Sequence, residues 1–418
     1  MNSDRLLERF LRYVRIDTTA REETSDYPSS PGQIELGHVL VDELRQAGIV
    51  DAKQDQHGIV TATIPATVQR EVPVIALCAH LDTSPETTGA GVKPRVVEDY
   101  PGGDLVLPGD SDKVVRVTEH AELKELVGRT IITSDGTTLL GADDKAGVAA
   151  IMEAVVWLAE HPEIEHGRLR LCFTCDEEVG RGVDHINLAE LGADACYTLD
   201  GQGGDTIDVE TFSADLAVVS IRGVNIHPSI AKGRMTNAVR VAADFLSRLP
   251  RDSLSPETTE DRQGFLHPYE ISGGVAEVTI RILLREFSSD ELAGLAGRLQ
   301  AAAAASMAAF AQARIDVSVK KQYRNMAEGL AREPRAVAYA QQALQRLGRQ
   351  PRLTIVRGGT DGSRLTEMGL PTPNLATGQH APHSPLEWAC LEEMAGAAEW
   401  IVALGRIWAE DPGLEPAC

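Results

Sequence analysis

The chain has 418 residues, 43% hydrophobic and 24% charged, enough for two or three domains whose cores need no disulfide or structural metal. Its 40 Lys and Arg stand against 62 Asp and Glu, a formal net charge of −22. Such a chain repels polyanions, which argues against nucleic acid and anionic membranes as partners and leaves many carboxylates available as metal ligands.

The start, MNSDRLLERFLRYVRIDTT, reads as an amphipathic charged helix without the apolar centre of a signal peptide. No stretch approaches the roughly 18 apolar residues of a membrane span. Residues 6–14 and 33–47 read as helices, and 59–64 and 72–79 as strands, the second apolar throughout and so buried on both faces. The Gly-, Pro- and Asp-rich stretch 89–109 reads as a surface excursion. A helix over 146–159 and strands over 169–175 and 195–199 follow. Alternating helices and strands imply an α/β layer with a mixed, largely parallel sheet. The middle differs. Strand 215–222, helix 236–249, strands 264–271 and 276–285, a long helix from Ser289 and strand 315–319 give β-α-β-β-α-β, the ferredoxin-like pattern of α+β domains. The helix from Ser289 opens on the cap-like Ser288-Ser289-Asp290-Glu291. From about Gln322 the α/β style resumes, so residues 212–321 form a domain inserted into a larger one made of 1–211 and 322–418.

The six cysteines, Cys78, Cys172, Cys175, Cys196, Cys390 and Cys418, show no disulfide-framework spacing and suit a reducing, cytoplasmic setting. Cys172 and Cys175 lie three apart on a strand, facing opposite ways, which disfavours a shared metal or a disulfide.

Strand ends carry the chemistry. His80-Leu-Asp82 puts an imidazole and a carboxylate on one side of an extended chain, as for a metal-bound histidine oriented by an acid. Alone, that spacing more often marks structural or surface residues. Gly141-Ala-Asp143-Asp144-Lys145-Ala-Gly147 precedes a helix and reads either as its N-cap or as a carboxylate bridging two metals. Asp176-Glu177-Glu178 ends an apolar strand; three adjacent acids need solvent or a cation to offset their repulsion. Asp200-Gly201 ends another strand, and Gly378-Gln-His380-Ala-Pro-His383 precedes the last helix. Jointly these place His80, Asp143, Glu178, Asp200 and one late histidine at the strand edge where open α/β sheets bind ligands. One imidazole and one carboxylate per metal, with a carboxylate shared, is a first shell for two zinc ions that leaves room for water.

HLDTSP (80–85), TSDGTTLLGADDKAG (133–147), DEEVGRG (176–182), GVNIHP (223–228), AKGRMTNA (231–238) and RGGTDG (357–362) resemble the peptidase T family. These are tripeptide aminopeptidases of the di-zinc aminoacylase and carboxypeptidase superfamily. The resemblance implies a zinc-exopeptidase-like catalytic domain with an inserted lid or dimerisation-type domain, two Zn2+ per chain, and short peptides as substrates. It allows a homodimer. His80 and Asp200 would hold one zinc, Glu178 and His383 the other, and Asp143 both, across a cis peptide to Asp144. His383 stands four residues before Glu387, as the family's histidine does before its glutamate; His380 competes for the role. Asp82 would orient His80, Glu177 would serve as general base and acid, and His227 would stabilise the oxyanion from the inserted domain. Arg285 and Arg357 would grip the substrate's carboxylate end; without the resemblance they read as a strand-end charge and a turn arginine. Other hydrolases of the superfamily, dipeptidases or N-acyl amino acid deacylases, are the alternative.

Overall fold

A computed structural model describes residues 1–411 of the chain, so Cys418 lies outside the described residues. The chain divides into two units. The first comprises Met1–Val209, Glu328–Thr354 and the stretch from Thr360 onward; the second comprises Glu210–Ala327 and Ile355–Gly359.

The first unit opens with α1 (Ser3–Tyr13), α2 (Pro31–Gln46), β1 (Lys53–Gln54), β2 (Val60–Ile64) and β3 (Ile75–His80). An excursion then carries β4 (Arg95–Val97), a hairpin of β5 (Leu105–Val106) and β6 (Val114–Val115), and β7 (Ile131–Thr133). After it come α3 (Ala142–Glu160), β8 (Leu169–Thr174), α4 (Leu188–Leu191), β9 (Ala195–Gln202) and β10 (Thr206–Thr211). The second unit holds β11 (Ser213–Arg222), α5 (Ala238–Ser247), β12 (Phe265–Gly273), β13 (Glu277–Glu286), α6 (Ser289–Ala309) and β14 (Arg314–Tyr323). The return runs through α7 (Ala327–Leu330), α8 (Arg335–Arg346), β15 (Arg352–Val356), α9 (Asp361–Met368), β16 (Asn374–His380), β17 (Trp388–Cys390) and α10 (Leu391–Glu410).

The main sheet has the order β1-β2-β8-β3-β9-β16-β17-β7-β4, with β10 joining at β16. Its centre is parallel: β3 pairs with β8 and β9, and β9 with β16. The flanks, β1-β2-β8 and β16-β17-β7-β4, are antiparallel. β3 is buried at all six positions, the continuous apolar run of a strand covered on both faces. Because the central strands run the same way, His80, Thr174 and Asp200 reach the same sheet edge.

α3 packs across β3, β9 and β16 and against α10. It comes close because Gly147 has no side chain: a Cβ there would stand 1.8 Å from the Leu199 carbonyl oxygen of β9. On its other side Glu153, fully buried, receives Arg5 at 2.7 Å and Arg9 at 2.6 Å from α1. The excursion is more than surface. Its β4 pairs with β7, and Tyr100, Leu105, Leu107 and Val115 build a small core with Trp388 of β17. Short strands among Gly, Pro and Asp gave no run long enough to announce this.

The second unit is a four-stranded antiparallel sheet of order β12-β13-β11-β14, with α5 and α6 packed on the face formed by Val219, Ile221, Val278, Ile280 and Ile282. Ser288 caps α6 by accepting from Glu291 N–H. This unit runs past residue 321 to Ala327 and takes in Ile355–Gly359, so Arg357 belongs to it.

Among the described residues no helix is long and apolar enough to cross a membrane. The five described cysteines are free and buried. Cys172 stands in register with Cys78 of β3, and Cys175 lies past the end of β8.

Candidate metal centre

His80 is the last residue of β3. Its Nε2 lies 3.0 Å from Asp143 Oδ1 and 3.7 Å from Asp200 Oδ1. His383 stands in the loop between β16 and β17, in a left-handed conformation (φ 62°), its carbonyl accepting from Thr87 Oγ1 at 2.7 Å. Its Nε2 lies 2.9 Å from Glu178 Oε2 and 3.4 Å from Asp143 Oδ2. The two oxygens of Asp143 therefore face two different histidines, each with a further carboxylate beside it. The peptide from Asp143 to Asp144 is cis, and both residues leave helical geometry at the head of α3.

Two overlapping sets, His80–Asp143–Glu178 and His80–Asp144–Asp200, have their candidate donor atoms within 4.8 Å of one another. Asp144, absent from the sequence-based set, is buried; its Oδ2 accepts the His80 backbone N–H at 3.1 Å, and its Oδ1 has no hydrogen-bond partner. Glu178 Oε1 is likewise buried and unpartnered. Buried acceptor oxygens without donors, beside imidazole nitrogens, fit a cation with a borderline or hard character, zinc among them.

The electrostatics agree. Burial, reinforced by Asp143, pushes Glu178 up to about 8 and Asp200 to about 7. Burial also raises Glu177 well above the carboxylate range. Asp143 is itself held low: burial opposes its charge, but hydrogen bonds with His383 and His80 outweigh it. Burial likewise opposes protonation of His383, yet Asp143 and Glu178 carry it to about 11. Crowded carboxylates of this kind call for positive charge among them.

Asp82 does more than stand beside His80. Its backbone oxygen lies 3.1 Å and its Oδ1 3.5 Å from His80 Nδ1, while Oδ1 and Oδ2 accept the backbone N–H groups of Glu177 and Glu178 at 3.1 and 3.0 Å. The preceding Asp176 fixes the same turn through Ser29, Gln33 and Arg181. Three further positioning side chains escaped the sequence reading. Asn374 Oδ1 accepts Asp200 N–H at 3.0 Å, and Gln379 Nε2 donates to Asp200 O at 2.9 Å and to its Oδ1 at 3.2 Å. Glu387, known only by its spacing from His383, accepts N–H groups from Leu140, Gly141 and Asp143 at 2.7, 2.6 and 2.9 Å.

His380 sits apart from these donors. Its ring stacks on Trp388 at 3.7 Å and pairs with Glu393 at 2.7 Å and Glu122 at 3.5 Å. His227, in the second unit, is exposed; its Nδ1 accepts the Ser229 backbone N–H at 3.2 Å. Arg285 and Arg357 also lie in the second unit. Arg357 Nη1 donates to Asp261 O and Gln263 O, both at 2.9 Å, and its guanidinium lies over Phe212 and Phe265. Arg285 Nη1 donates to Leu284 O and Gln322 Oε1, both at 3.0 Å.

The model of peptidase family M20/M25/M40 matches residues 131–406. The peptidase T of Geobacillus thermodenitrificans is 40% identical over 403 residues, 96% of this chain and 98% of that protein. That of Desulfitobacterium hafniense is 41% identical over 406 residues, 97% of this chain and 98% of its own length. Among solved structures, a Staphylococcus aureus tripeptidase matches with a TM-score of 0.78 at 25% identity, covering 98% of this chain and 99% of that one. Aminopeptidase PepT of Bacillus cereus matches at 0.76 and 26%, with the same coverage. The chain is thus a peptidase of family M20/M25/M40, in its peptidase T branch.

Proposed function

We propose that the protein is a di-zinc aminopeptidase that releases the N-terminal residue of tripeptides. The observation that carries this is Asp143, whose two oxygens face His80 and His383 separately. His80 and Asp200 would hold one zinc, His383 and Glu178 the other, and Asp143 both. Bound there, the pair would supply a water acidified toward a pKa of roughly 7, as at a single catalytic zinc. Glu177 takes the proton of the attacking water and returns it to the leaving amine. Asp82, holding the N–H groups of Glu177 and Glu178, keeps base and ligand in fixed relation. His227 Nδ1 lies against Ser229, 2.7 Å from its Oγ and 3.2 Å from its backbone N, and Nε2 is the atom proposed to donate to the oxyanion. Arg285 and Arg357 are the proposed grip on the peptide's carboxylate end. Relatives named tripeptidase and aminopeptidase support the substrate class. Five free, buried cysteines support a cytoplasmic setting.

The test is hydrolysis of tripeptides, dipeptides and N-acyl amino acids before and after chelation, with zinc counted per chain. Chelator-sensitive release of free N-terminal residues from tripeptides is expected. Preference for dipeptides or acyl amino acids would move the enzyme to another activity of the superfamily.

A further inference from the structure

Glu387 is 1% exposed, and both of its carboxylate oxygens are spent on backbone. Oε2 accepts the N–H groups of Leu140 and Gly141, and Oε1 accepts that of Asp143. Gly141 and Asp143 are at the head of α3, whose first N–H groups have no partner within the helix, and Leu140 stands just before it; Gly141 is left-handed (φ 83°) and Asp143 departs from helical geometry (φ −81°, ψ 106°). A helical Asp143 would aim its side chain along the first turn. The departure is what turns its two oxygens to His80 and His383. Three donors converging on the two oxygens of one buried carboxyl group hold that turn, where a group with a single acceptor oxygen could satisfy only part of it. Glu387 also shares a short loop with His383, and its own N–H donates to Ser384 O at 3.1 Å, closing that loop on itself. One segment therefore supplies a metal-facing imidazole and grips the backbone that presents the shared carboxylate.

We infer that Glu387 is a positioning residue for Asp143, fixing the bridging carboxylate and His383 as one rigid body, so that both metals depend on it although it touches neither. The inference rests on the di-metal reading above. A helix cap alone is the competing explanation: it would change the stability of the fold and leave metal binding by the folded protein untouched.

Glu387→Gln separates the two. The amide keeps one acceptor oxygen and turns an N–H2 group toward Asp143 N–H or toward the Leu140 and Gly141 pair, at almost no change of volume. Zinc affinity of the full-length protein is measured by competition with a chromophoric chelator, alongside the melting temperature and Asp143→Asn as reference. The expected result is weakening of both zinc equivalents together by about 10–100-fold, the usual range for groups that orient metal ligands, with kcat reduced more than KM is raised. His383→Ala, which removes a ligand of one metal, should weaken one equivalent more than the other. Wild-type affinity in Glu387→Gln, with Asp143→Asn impaired, overturns the inference and leaves the di-metal reading standing. Weakening of a single equivalent also overturns it. Wild-type affinity in Asp143→Asn removes the di-metal reading itself, and the inference with it. If Glu387→Gln does not fold, Glu387→Asp, which keeps the charge and shortens the reach, is read against the same outcomes.

Discussion

Glu177 and Glu178 are neighbours for which different tasks are proposed, base and metal ligand. Burial raises both, and Glu178 Oε2 lies 2.9 Å from His383 Nε2. Glu177→Gln should therefore lower kcat by about 10²–10⁴, the worth of one positioned base, with two metals retained on elemental analysis. Loss of a metal would exchange the two roles. The late histidines divide as sharply. His380 is stacked on Trp388 and paired with Glu393, so His380→Ala should cost stability while keeping zinc; His383→Ala should lose it. Zinc titration of both variants reads this, and the reverse outcome would reassign the last ligand. The grouping of His80, Asp143, Glu178, Asp200 and one late histidine was legible in the sequence because a polar residue at the end of an apolar strand, or just before a helix, stands out against its neighbours; the choice of His383 over His380 came from the family resemblance. Asn374, Gln379 and Glu387 were not legible as gripping residues, although Glu387 stood out by its spacing from His383. They grip backbone, and an amide or carboxylate that holds a distant N–H leaves no spacing behind: Glu387 and Leu140 lie 247 residues apart.

At the scale of elements, the site depends on how α3 is seated. Gly147 lets the helix lie against β9, and Glu153 ties it to α1 through Arg5 and Arg9. Neutralising Glu153 removes its charge-assisted hydrogen bonds, but Arg5 keeps Glu160 and Arg9 keeps Glu43, so the loss is about 1.5–3 kcal/mol rather than that of an orphaned buried charge. Glu153→Gln should accordingly destabilise the fold by about that amount, read from denaturant midpoints at unchanged slope. It lies nearly three turns of helix from Asp143, so zinc affinity in the folded variant should stay put. A neutral result would class the pair as a surface-like contact despite its burial. The inserted β-α-β-β-α-β order was readable because Val278, Ile280, Ile282 and Leu284 fall on alternate positions, with Thr279 and Arg281 between the first three. The excursion was not: β4, β5 and β6 are two or three residues long, and periodicity needs more than that to register.

At the scale of the molecule, His227 belongs to a different unit from every residue proposed to hold metal. Its proposed use in catalysis therefore draws on the second unit, of the same chain or of another. His227→Ala should lower kcat by about 10²–10³, the loss expected for one oxyanion donor, with zinc content unchanged. Mixing it with Glu177→Ala should restore nothing if each chain closes on itself; recovered activity would show the histidine crossing between chains, and near-normal turnover of His227→Ala alone would take it out of the chemistry. The sheet order has a further consequence, in time rather than space. β16 and β17 fill the place between β9 and β7, yet Asn374 follows Asp200, its hydrogen-bond partner, by 174 residues. At about 5–20 residues per second a ribosome needs on the order of ten seconds or more to cover that interval. Throughout it β9 and β7 are two open edges, and neither His383 nor Glu387 has been made. A nascent chain of this protein therefore holds two unpaired strand edges beside its candidate metal centre until its last strands seal the sheet.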